Sequence, residues 1–69
     1  MRTIDHLLDD AADELRRLGR EFLTRLAFEQ AARIVDDLNF IVVQRETMDE
    51  GEKRALLHQI KCRWGLRGD

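Results

Sequence analysis

From Ile4 to Val43 the chain runs forty residues without a proline and with a single glycine, Gly19. Proline and glycine are the strongest local breakers of regular structure, so a stretch this poor in them has few places to turn. It reads as helix for most or all of its length. A shorter helix follows over residues 48–64, and the chain is expected to be all-α: a long N-terminal helix of about residues 4–45 and a C-terminal helix, folded as an αα-hairpin. Interruptions near Gly19 or Asn39 are the alternatives. Gly19 could end a first helix, but Arg20 and Glu21 are poor caps for a second, so continuity is the preferred reading. The β-branched run Phe40-Ile41-Val42-Val43 could instead form a short buried strand.

The long helix carries two apolar stripes. Ile4, Leu8, Ala11, Leu15, Leu18 and Phe22 alternate in steps of four and three residues, which keeps them on one face. After Leu26 the apolar positions change sides: Ala27, Ala31, Ile34, Val35, Leu38 and Val43 lie roughly 160° around from the first stripe at about 100° per residue. A continuous helix of this kind needs two different partners. The last helix can cover only one stripe, with Leu56, Leu57, Ile60 and Trp64. The second stripe is its expected partner, and the first is then left for another copy of the chain.

Charge order gives that association a direction. Residues 1–15 are net −4, residues 16–33 net +3, residues 34–52 net −5 and residues 53–69 net +4. Two first helices packed antiparallel about Leu15 set acidic block against arginine block, whereas a parallel pair sets like against like. The expected assembly is an antiparallel helical homodimer joined along Ile4, Leu8, Ala11, Leu15, Leu18 and Phe22. Size argues the same way, because a chain of 69 residues buries only about 60% of its unfolded surface and gains from self-association.

At the ends of the helices, Thr3 is a good N-cap and Asp5 suits the positive end of the first helix dipole. Thr47-Met48-Asp49-Glu50 has the spacing of a capping box and starts the last helix, which ends at Gly65.

No residue group here carries recognisable chemistry. His6 among Asp9, Asp10, Asp13 and Glu14 reads as a solvated acidic face. His58 and Cys62 stand one helical turn apart but supply only two of the ligands a zinc site needs. Cys62 has no base and orienting group to make it a nucleophile. No catalytic residue, metal or cofactor is expected, and the chain is not expected to be an enzyme. One cysteine, no signal-peptide pattern and no apolar run of about 20 residues fit a soluble cytoplasmic protein.

Function follows from this only as a class. The expected role is a small dimeric interaction module, a regulatory inhibitor or adaptor that binds a larger protein, in the manner of many small anti-activators of bacteria and their phages. Trp64, Arg63, Arg67 and Phe28 are the candidate partner-binding residues, since tryptophan and arginine dominate interface hot spots. The alternative is a DNA-binding regulator or antitoxin that presents Arg54, His58, Lys61 and Arg63 from the last helix. A net charge of −2 makes nucleic acid the weaker reading.

Overall fold

The computed structural model describes residues 3–66, and these are helical with short connections. Helix α1 spans Ile4–Thr24, α2 spans Phe28–Gln44, a 3-10 turn spans Arg45–Thr47, and α3 spans Glu50–Trp64. The all-helical expectation holds, with three helices in place of two. Gly19 lies inside α1, as continuity through it requires. Residues 40–43 belong to α2, and the strand alternative is set aside.

The long helix is nevertheless broken, at Arg25-Leu26-Ala27. Leu26 has φ +62°, the left-handed conformation that normally selects glycine. The Ala27 amide donates to the Phe22 carbonyl at 2.7 Å and the Leu26 amide to the Leu23 carbonyl at 3.1 Å. This is a Schellman ending, with leucine where glycine is usual. α2 starts without a side-chain cap at Ala27. Neither end of the break carries the residue types that announce one.

The reversal brings the two stripes together. Ile4, Leu8, Ala11 and Leu15 of α1 join Ile34 and Ile41 of α2 and Leu56, Leu57 and Ile60 of α3 in one core. Leu18, Phe22 and Trp64 pack against it, half-buried. The first stripe is therefore covered within a single chain, and the premise that left it open for a second copy does not hold. The expected partner of α3 also changes, because α3 packs on α1 as well as reaching α2.

Polar contacts fix the ends. The Thr3 hydroxyl accepts from the His6 amide at 3.3 Å, the cap expected for α1. The capping box of α3 stands two residues later than expected: Asp49 accepts from the Glu52 amide at 2.8 Å, and Glu52 accepts from the Asp49 amide at 3.4 Å. Thr47 cannot serve because it lies in the 3-10 turn, where its hydroxyl donates to the Gln44 carbonyl. Lys53 donates to Asp5 at 2.9 Å and Arg45 pairs with Asp9, so the start of α1 is tied to the α2–α3 connection.

Candidate protein-interaction face

α2 is apolar over a wider arc than its own chain covers. Ala31, Ile34 and Ile41 are buried, and Leu38 partly so. Phe28, Val35 and Val42 recur every seven residues and so form a line along one side of α2. They stay open: Phe28 is 61% exposed, Val35 53% and Val42 59%. Leu23 at the end of α1 is exposed beside Phe28 and Val35, and Leu26 in the break and Val43 are exposed as well. Isolated exposed apolar residues are ordinary, whereas a contiguous set on one face marks an interaction surface.

Beside this line runs a groove of about 420 Å³ whose walls come from α1 and α2 alone. Leu23, Phe28, Ala32, Val35 and Leu38 give it an apolar lining, and Arg16 and Arg20 stand at its rim. Gly19 forms part of the wall, where a side chain would meet Ile34; a Cβ there would stand 3.4 Å from Ile34 Cγ2. A second, more polar cleft of about 260 Å³ lies between α2 and α3, with Phe40 and Leu56 against Asp36, Asp37 and Arg63.

The four residues expected to bind a partner fall in different settings. Phe28 is on the open face. Trp64 is engaged by its own fold: its ring packs against Phe22 at 6.0 Å between centroids, and its indole nitrogen donates to Asp37 at 2.6 Å. Arg63 pairs with the same carboxylate at 2.8 Å. Arg67 lies outside the described residues. Among the basic residues of α3, Arg54 is likewise held by a carboxylate of its own chain, Glu50. Leu23, Val35 and Val42 were not singled out as interaction residues from sequence. The seven-residue spacing of Phe28, Val35 and Val42 aligns these three on one side of α2, but spacing alone does not say that this side stays open.

The candidate ligand groups stay sparse in space. His58 Nε2 lies 3.6 Å from Cys62 Sγ. Among the described residues no three His, Cys, Asp or Glu side chains come together as a metal-binding group. No helix among them is long and apolar enough to cross a membrane. Lys53 holds the Asp5 carboxyl below its ordinary value through their hydrogen bond, with Arg45 adding to the effect. The hydrogen bond from Arg45 to Asp9 raises the arginine further above its already high value. These shifts belong to the clamp on the start of α1. Comparison with protein families, with curated proteins and with solved structures finds no match.

Proposed function

We propose that this protein is a non-enzymatic interaction module, a regulatory adaptor or inhibitor that works by helix-on-helix association. The observation that carries this reading is the open line Phe28–Val35–Val42 beside the apolar α1/α2 groove. α3 already covers the core from one side, and the open line offers a second helix-sized seat. A helix with its own apolar row matches it, as in the common mode where an amphipathic helix lies in a groove. The rim sets the partner's charge: carboxylates suit Arg16 and Arg20.

The nucleic-acid alternative finds less support on this surface. Arg63 of α3 is held by the mostly buried Asp37 carboxylate, so the helix presents one free cation fewer than its sequence suggests, and the chain as a whole is net negative.

The test is a comparison of the wild type with the Val35→Glu/Val42→Glu variant, both verified as folded by circular dichroism. The wild type should associate, with itself in sedimentation or with a protein it captures from its host, and the variant should lose that same association. A variant that keeps every association of the wild type overturns the reading, as does a wild type that shows none.

A further inference from the structure

We infer that the first occupant of the open face is a second copy of the chain, seated antiparallel about a two-fold axis that crosses α2 near Asn39. This rests on the helix-association reading and adds the partner to it. The argument is one of charge and register. On α1 the residues Asp9, Asp13, Arg16 and Arg20 share an arc of roughly 60° at about 100° per residue, and all four are exposed. Arg16 and Arg20 line the groove, and Asp13 and Asp9 continue the row along α1 beyond it. The row is acidic in its first half and basic in its second.

That row is complementary to itself when reversed. The midpoint between Glu14 and Leu15 divides it evenly: Asp13 and Arg16 are equidistant from that point, and so are Asp9 and Arg20. A two-fold axis at that level sets Arg16 of each copy opposite Asp13 of the other, and Arg20 opposite Asp9. A parallel arrangement would instead set arginine against arginine. Within the monomer Arg16 already pairs with Asp13 at 2.8 Å and Asp9 with Arg45; the first pair is largely exposed and easily exchanged for its symmetric equivalent, and the half-exposed Asp9 carboxylate keeps Arg45 while it takes Arg20 of the other copy.

The same axis serves the apolar line. α1 and α2 run antiparallel, with Gly19 beside Ile34 and Asp9 beside Arg45. The midpoint of the charged row is therefore level with Asn39. Val35 and Val42 lie on either side of Asn39, so the axis lays Val35 of one copy near Val42 of the other. The two α2 helices then meet apolar face to apolar face, with each α1 alongside, and the four helices form a closed layer between the two α3 helices. One axis satisfies charge and apolar contact together, as a self-complementary interface requires.

The experiment exchanges one charge pair. Arg16→Glu alone and Asp13→Arg alone each set like charges together twice across the axis. Each should weaken self-association about tenfold at low ionic strength, a little over 1 kcal/mol in the dissociation constant. Mixed one to one, the two variants restore both contacts and should form the heterodimer well beyond the statistical half, read by native mass spectrometry. In a Cys62→Ser background, Asn39→Cys should oxidise to a covalent dimer, and Gln30→Cys, away from the face, should not. A monomeric wild type overturns the inference, and so does a dimer that neither responds to the charge exchange nor cross-links at position 39. In that last case, dissociation by Val35→Glu/Val42→Glu would leave the helix-association reading standing with a different geometry.

Discussion

The indole nitrogen of Trp64 donates to a carboxylate oxygen of Asp37 at 2.6 Å, joining the last turn of α3 to the middle of α2. Asp37 also takes Arg63, at 2.8 and 3.1 Å, and its side chain is only 14% exposed. One carboxylate thus takes three hydrogen bonds from two side chains at the junction where α3 reaches α2. Without it the half-buried indole N–H has no partner and the arginine no counter-charge.

Asp37→Ala should therefore lower stability by about 1–3 kcal/mol, the usual cost of leaving a desolvated donor unpaired. Trp64→Phe keeps much of the packing on Phe22, loses the one hydrogen bond, and should cost about 1 kcal/mol. Urea unfolding followed by circular dichroism measures both. No loss for Asp37→Ala would show that the α2–α3 junction does not depend on this carboxylate.

Leu26→Gly should stabilise the protein by about 1–2 kcal/mol, because leucine in the left-handed region is strained and glycine is not. Little packing is lost, since Leu26 is 71% exposed. Gly19→Ala should also stabilise, by about 0.5–1 kcal/mol, for the opposite reason: the site is helix interior, and the added methyl meets Ile34 at ordinary contact distance. A fall in midpoint for Leu26→Gly would place the chain reversal elsewhere.

The start of α3 separates two capping residues. Asp49→Ala should cost about 1 kcal/mol through loss of the capping box. Thr47→Ala removes only a local bond to the Gln44 carbonyl and should cost less. The order of the two midpoints in thermal unfolding is the readout, and a larger loss at Thr47 would return the cap to it.

The clamp on α1 has a pH dependence. Asp5 titrates lower in the folded chain than in the unfolded one because Lys53 donates to its carboxylate. The contribution of this contact is complete above the ordinary aspartate range and is lost as pH falls through the lowered folded value. Lys53→Met should therefore make stability less dependent on pH between about pH 5 and about pH 2. Identical pH profiles for variant and wild type would show that the contact adds nothing to stability.

Helix content, the Thr3 cap, the Gly65 ending and most core positions were legible in the chain itself. Each depends on neighbours within one or two turns, where apolar spacing and capping chemistry act directly. Ile4, Leu8, Ala11, Leu15, Ile34, Leu56, Leu57 and Ile60 were all placed on apolar faces by spacing alone, and all are buried. The change of sides after Leu26 was legible too, but it had two meanings: one helix with two partners, or two helices sharing one core. Local signals favoured the first, since the reversal carries a leucine at the glycine position and no capping side chain.

Only the tertiary structure decided for the reversal. Folding α1 back on α2 buries the first stripe against Ala31, Ile34 and Leu38 of the second, at roughly 1.5–3 kcal/mol for each large apolar side chain, which outweighs the strain of about 1–2 kcal/mol at Leu26. The same reversal decided which apolar residues remain outside. Val35 belonged to the second stripe by spacing, and Phe28 lay between the stripes. Their exposure followed from where α1 and α3 came to rest, and no local pattern in α2 separates a residue that its own chain will cover from one that it will leave open.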